Sequence, residues 1–183
     1  SNDEARSFIK IIKESAELQL DYVNSLLDIL KFESSEIILN FKQTTVDAIL
    51  KSSLQNLSLL ASKKGISITV KNEVKSNIEV DFIKIVQVLN NFITNAIKFT
   101  NSGGLITVHC LEKDNRIEIH VIDTGIGINE NTQKMLFSKL KQLHSYGTQG
   151  EKGSGLGLLI CKNLIELHKG VIGVNSEPGK GSD

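Results

Sequence analysis

Between residues 3 and 34 the apolar positions recur at three- and four-residue steps. Ile9, Ile12, Ala16, Val23, Leu27 and Leu30 make one stripe, and Ile11, Leu18, Tyr22 and Ile29 widen it. That period predicts one long helix. Asn2 can cap its start, and Asp3 and Glu4 suit the partial positive charge of a first turn. A lone helix this apolar is not soluble by itself. It needs either the rest of the chain or a partner helix in a dimeric bundle.

Ser34-Ser35 breaks the pattern, and Glu36 to Lys42 alternates loosely as a short strand. Thr45 to Lys64 reads as a second helix burying Val46, Ile49, Leu50, Leu54, Leu57 and Leu60. Gly65 follows where a helix end favours a left-handed residue. Ile66, Ile68 and Val70 alternate with polar residues as a half-buried strand. Asp81 can cap a third helix running to about Thr100, with Ile85, Val88, Leu89, Phe92, Ile93 and Ala96 inside. After the turn Asn101-Ser102-Gly103-Gly104, strands Leu105–Leu111 and Arg116–Ile122 form a hairpin through Glu112-Lys113-Asp114-Asn115.

Residues 124 to 152 are rich in Gly, Asn, Lys and Gln, with one helical patch from Gln133 to Leu140. Leu156 to His168 is a last helix ended by Gly170, Val171 to Val174 begins a strand, and Pro178-Gly179-Lys180-Gly181 is a turn. The order predicts an α+β fold: a two-layer sandwich, one mixed sheet with helices on one face, preceded by the long N-terminal bundle helix. Residues 1–35 form one unit and residues 36–183 the other.

Composition narrows the function classes. Lys+Arg and Asp+Glu are both 21, so no global basic field points to nucleic acid or an anionic membrane. Cys110 and Cys161 are far apart and match no metal-ligand spacing; they read as small buried apolar residues, and a reducing cytoplasm fits. No apolar run approaches a membrane span. The start at Ser1-Asn2, without Met, suggests a piece of a longer protein, and that parent could carry membrane segments elsewhere.

Three stretches carry the chemistry. The first is Asn91-Phe92-Ile93-Thr94-Asn95-Ala96-Ile97-Lys98-Phe99. Asn91 and Asn95 share one helix face, and Lys98 follows on the same edge. Two amide oxygens and an ammonium make a seat for Mg²⁺ and phosphate; a solvated polar face is the plainer alternative. The second is Asp123-Thr124-Gly125-Ile126-Gly127-Ile128. A carboxylate at a strand end can accept from an exocyclic amine such as that of adenine, and Gly125 and Gly127 let backbone approach a flat ring. An ordinary Asp-x-Gly turn is the alternative. The third is Gly153-Ser154-Gly155-Leu156-Gly157-Leu158, whose glycines expose backbone amides where a helix begins. It lacks both the Rossmann spacing and a P-loop Gly-Lys-Ser/Thr.

In this order the three stretches resemble the N box and the two glycine boxes of sensor histidine kinases, in the ATPase superfamily shared with DNA gyrase, a heat-shock chaperone and mismatch-repair proteins. Lys31-Phe32-Glu33-Ser34 resembles the end of a second dimerisation helix, Met135-Leu136-Phe137 the phenylalanine box, and Glu177-Pro178-Gly179-Lys180-Gly181-Ser182 the turn before a final strand. The resemblance implies ATP with Mg²⁺: Asn95 as metal ligand with Asn91 beside it, Lys98 on phosphate, and Phe99 bordering the nucleotide. It implies Asp123 on the adenine amine and Gly127, after Gly125, beneath the ring. Residues 128–152 would be a mobile lid, with Gly153, Gly155, Leu156, Gly157 and Leu158 at its hinge and on phosphate. It further implies a homodimer through the N-terminal helix and a response regulator receiver domain as partner.

Hydrolytic relatives place a Glu four residues before the metal Asn. Here that residue is Asn91, whose amide cannot take a proton from water, so the resemblance implies phosphoryl transfer to an imidazole. None of His109, His120, His144 and His168 has the flanks of a phosphoacceptor, so the accepting histidine is expected outside this chain. The final strand is expected to be missing. A non-catalytic dimerising interaction module and a hydrolytic ATPase are the alternative functions.

Overall fold

The structure is a computed structural model that describes residues 2–33, 37–137, 146–151, 153 and 155–183. The first helix, α1, spans Asn2–Glu33. Strand β1 (Lys42–Thr44) pairs antiparallel with β3 (Ile78–Val80) in a small two-stranded sheet. The main sheet joins β2 (Ser67–Asn72), β4 (Leu105–Lys113), β5 (Arg116–Asp123), β7 (Gly181–Ser182) and β6 (Ser176–Glu177), adjacent in that order. It is mixed, because β2 and β4 run parallel and every other pair is antiparallel. The remaining helices are α2 (Val46–Lys63), α3 (Phe82–Phe99), the short α4 (Glu130–Gln133) and α5 (Gly157–Leu167).

The alternation of β4 decides which sheet face is covered. Ile106, Val108 and Cys110 are fully buried and share one core with Ile49 and Leu50 of α2 and Leu89, Ile93 and Ala96 of α3. Truncating any one of these large residues costs about 2–5 kcal/mol, since a packed interior refills a cavity only in part. A second cluster joins Val88 of α3 to Ile160, Cys161 and Leu164 of α5, and Ile29 and Phe32 of α1 pack against it. Burial pushes the Cys110 thiol up to about 11 and the Cys161 thiol to about 12, so both stay protonated and behave as small apolar residues.

The end of α1 therefore docks on its own chain, while Ile9, Ile12, Val23, Leu27 and Leu30 of the stripe stay exposed. Among the described residues no helix is long and apolar enough to cross a membrane.

Several boundaries differ from expectation. The strand expected over Glu36 to Lys42 begins only at Lys42, because the Asn40 N–H bonds the Asp81 carboxylate at 2.9 Å instead of a neighbouring strand. The hairpin turn shortens to Asp114 and Asn115, both at positive φ, the backbone that matches a right-handed strand twist. The helical patch expected from Gln133 to Leu140 is replaced by the short α4, which Asn129 starts by accepting from the Thr132 N–H and which ends at Gln133, residues 134–137 being turn. Val171 to Val174 form no strand: Val171 is 83% exposed, and pairing begins where Asn175 exchanges two backbone bonds with Asp183. Gly181–Ser182 form β7 once Gly179, at φ +79, has turned the chain back. The Ser34-Ser35 break, Glu36, residues 138–140 of the expected patch, His144 and Ser154 lie outside the described residues.

Candidate functional site

The site is built on α3. Asp81 starts this helix by accepting from the Lys84 N–H at 3.1 Å, as its place in the sequence predicts. One turn apart, Asn95 donates its Nδ2 to Asn91 Oδ1 at 3.0 Å. That bond uses the Asn91 oxygen and turns the Asn95 carboxamide oxygen into the better candidate for a cation. Lys98 lies over the Phe99 ring, with Nζ 4.7 Å from its centroid. Burial holds the Lys98 ammonium below the usual lysine range, and the nearby Glu151 charge opposes that shift.

The second stretch leaves β5 at Asp123 and is tied to the end of α3. The Gly125 N–H donates to Asp123 Oδ1 at 2.7 Å, and the Ile126 N–H donates to the Phe99 carbonyl at 3.1 Å. A side chain at Gly125 would run into that same Phe99 carbonyl. Gly127 takes φ +67 and packs on the Glu177 carbonyl, a conformation and a closeness that exclude other residues. Across the loop, the Gly179 N–H donates to Ile126 O at 2.8 Å. Burial pushes the Asp123 carboxyl above the usual range, against the lowering effect of the Gly125 and Ser182 N–H groups.

The third stretch meets α3 from the other side. A Cβ on Gly157 would collide with the Asn91 carboxamide, and one on Gly153 would stand 3.2 Å from Lys98 Nζ. Gly155 turns at φ +71 into the start of α5, where Leu156 is buried and Leu158 half-buried. Leu156 is the N-cap of α5 and offers no side-chain oxygen of its own to the first turn. Three stretches separated by tens of residues thus converge: Gly125 on Phe99, Gly157 on Asn91, Gly153 on Lys98.

The donor set suits a hard cation that takes only a few protein ligands. Among the described residues no three His, Cys, Asp or Glu side chains cluster to hold a metal. The amide oxygens of Asn95 and Asn91 could hold such a cation only with most positions left to water and phosphate oxygens, which is how Mg²⁺ is commonly held.

Sequence reasoning missed Lys64, Thr148 and Glu151. Lys64 Nζ reaches the carbonyls of Ile97 and Lys98 and the Glu151 carboxylate, and the Thr148 N–H donates to Lys98 O at 3.0 Å. A Lys before a helix-ending Gly reads as a solvated charge, so no local signal could have found it. The described histidines lie away from the three stretches. His109 and His120 are cross-strand partners on β4 and β5, and His168 bonds Leu164 O through Nδ1 and the Asp81 N–H through Nε2.

Residues 80–183 match the family described as histidine kinase-, DNA gyrase B-, and HSP90-like ATPase. The sensor histidine kinase TmoS of Ectopseudomonas mendocina is 34% identical over 94% of this chain, and the chain spans 18% of that protein's length. The crystal structure of full-length ShkA in complex with AMPPNP superposes with a TM-score of 0.79 at 29% identity, covering 98% of this chain and 37% of ShkA. The catalytic domain of histidine kinase ThkA superposes with a TM-score of 0.68 at 25% identity, covering 79% of this chain and 91% of that domain. The match takes in all three converging stretches, and the chain belongs to the histidine kinase-, DNA gyrase B- and HSP90-like ATPase family as a histidine kinase catalytic ATP-binding domain.

Proposed function

We propose that this chain is the ATP-binding catalytic portion of a sensor histidine kinase, holding Mg·ATP and donating its γ-phosphoryl to a histidine outside the chain. The observation that carries the reading is the approach of Gly153 and Gly157 to Lys98 and Asn91, which sets the start of α5 beside the polar edge of α3. Backbone N–H groups at a helix start favour an anion, and Lys98 supplies a point charge to the same phosphates. Asp123 accepts from the adenine amine, Gly125 and Gly127 pass beneath the ring, and Phe99 borders it. Leu156 and Leu158 wall the phosphate end. Asn95, with Asn91 beside it, would hold Mg²⁺, which neutralises charge on the transferred phosphoryl when bound.

The reaction is an in-line displacement: the imidazole nitrogen bonds to the γ-phosphorus as its bond to the β-γ bridging oxygen breaks, and ADP leaves. Hydrolysis would need a base for water near Asn91, and an amide does not accept that proton. His168 uses both ring nitrogens on backbone groups, which favours an acceptor on another segment. The exposed stripe of α1 supports homodimerisation in the full-length protein, and a response regulator receiver domain is the expected downstream acceptor. Work of this kind belongs to the cytoplasmic side of a parent protein.

Titration with a fluorescent ATP analogue, with and without Mg²⁺, tests the reading. The Asn95→Ala variant should lose most of the Mg²⁺-dependent gain in affinity. Equal affinity of wild type and variant with Mg²⁺ present would overturn the metal role, and steady phosphate release by the chain alone would favour a hydrolytic ATPase.

A further inference from the structure

Lys64 stands directly after α2, where a lysine ordinarily extends into water. Here its side chain is only 6% exposed. Nζ donates to Ile97 O at 2.8 Å, to Lys98 O at 2.9 Å and to Glu151 Oε1 at 2.6 Å. An ammonium has three donors, and all three are engaged. Two of the acceptors are carbonyls of the last turn of α3, which have no partner within their own helix. They flank the backbone that presents Lys98.

The third acceptor closes a turn. Glu151 Oε2 accepts from the Gln149 N–H at 2.8 Å, and Glu151 O accepts from the Gly147 N–H at 2.8 Å. The Thr148 N–H donates to Lys98 O at 3.0 Å and its Oγ1 donates to Thr100 O at 3.1 Å. Gly147 lies so close to Lys98 that an added Cβ would stand 2.5 Å from its Cγ. Residues 147–151 are therefore fastened to the end of α3, two positions before Gly153.

We propose that Lys64 is a positioning residue for the nucleotide site: with Glu151 it straps residues 147–151 to the end of α3 and so sets the spacing between Lys98 and Gly153. The inference rests on the reading of those two residues as phosphate contacts. The strap also manages charge. Glu151 is near enough to Lys98 to influence its ionisation, and an uncompensated carboxylate there would repel a triphosphate and draw the Lys98 ammonium away from it. Burial raises the Glu151 carboxyl, yet the bonds from Lys64 and from backbone N–H groups outweigh it and keep the group ionised.

The test compares the 183-residue chain with Lys64→Met, Glu151→Gln and the double variant. Amide hydrogen exchange without nucleotide reads the strap directly. Exchange at Gly147, Thr148 and Gln149 should rise about tenfold or more in each single variant, with Val108 and Val121 of the sheet unchanged. Titration with the fluorescent Mg·ATP analogue reads its effect on the site. Lys64→Met should weaken binding about tenfold, and adding Glu151→Gln should recover part of that loss, a rescue that simple damage to packing would not give. Unchanged exchange at all three amides, or wild-type affinity in Lys64→Met, overturns the proposal. Should Lys64→Met loosen the whole sheet, Glu151→Gln, which preserves size, decides alone. A wild-type chain that binds no Mg·ATP analogue refutes the function reading instead, while the exchange data still decide the strap.

Discussion

Gly157 at the start of α5 lies against the Asn91 carboxamide so closely that no side chain fits between them. Ala in a helix is ordinarily better than Gly by about 1 kcal/mol. Here the added methyl must displace Asn91, a short side chain that can rotate away and break its bond to Asn95. Gly157→Ala should therefore change stability by no more than about 1 kcal/mol while weakening Mg·ATP binding about tenfold. Thermal unfolding and analogue titration on the same sample separate the two effects.

Asp123 and Asp81 should respond to pH with opposite signs. Burial raises Asp123, so the folded state favours its protonated form; the stability this gives is present below the unfolded carboxyl value, near 3.9, and is lost as pH rises through the raised folded value. At pH 7 its charge is a cost to the folded state. Asp123→Asn should leave the nucleotide-free chain as stable or more stable, yet weaken ATP binding and narrow the preference for ATP over GTP. An unchanged preference in competition titrations would remove the adenine role.

Burial also raises Asp81, but N–H donors from Asn40 and Lys84 outweigh it and lower the carboxyl overall. Its stability is present above the unfolded value and is lost as pH falls through the lowered folded one. Asp81→Ala removes the α3 cap and should cost about 0.5–2 kcal/mol at pH 7, with less difference from wild type in strong acid. Urea melts at two pH values check the sign.

His168 joins the ends of two helices. Its Nε2 accepts from the Asp81 N–H at 3.1 Å, and its ring meets Phe41 edge-on at 5.3 Å between centroids. His168→Ala leaves that N–H without its partner and should cost about 1–3 kcal/mol. Nucleotide affinity should hold, because the residue lies at the opposite end of α3 from Lys98. A large loss of affinity at unchanged Tm would contradict this assignment.

Ile12 and Leu27 on α1 are exposed in the single chain. Replacing both with Glu should change the stability of the monomer by no more than about 0.5 kcal/mol per site, as expected of surface positions. Any self-association through α1 should be abolished, which sedimentation velocity across a concentration series measures. Equal sedimentation of a dimeric wild type and the variant would place the dimer contact elsewhere.

Much of this protein was legible in its sequence because the relevant physics is local. The 3.6-residue period marked α1, α2 and α3, the Asp81 cap announced itself by residue type, and Gly65 was read from its place after a helix. Asn91, Asn95 and Lys98 lie on one helix edge by spacing alone, and Gly125 and Gly127 marked backbone that approaches its neighbours closely. Weak boundaries were lost where a partner outside the segment decided. Asn40 gave its N–H to Asp81, and Val171 stayed exposed, with no strand to pair with among the described residues. Only the tertiary structure could bring Gly157 onto Asn91 and Gly125 onto Phe99, since contacts across tens of residues follow from how α3, α5 and the sheet pack. It alone turned Lys64 inward, because a buried ammonium is tolerable only where three acceptors converge, and those come from two other segments of the chain.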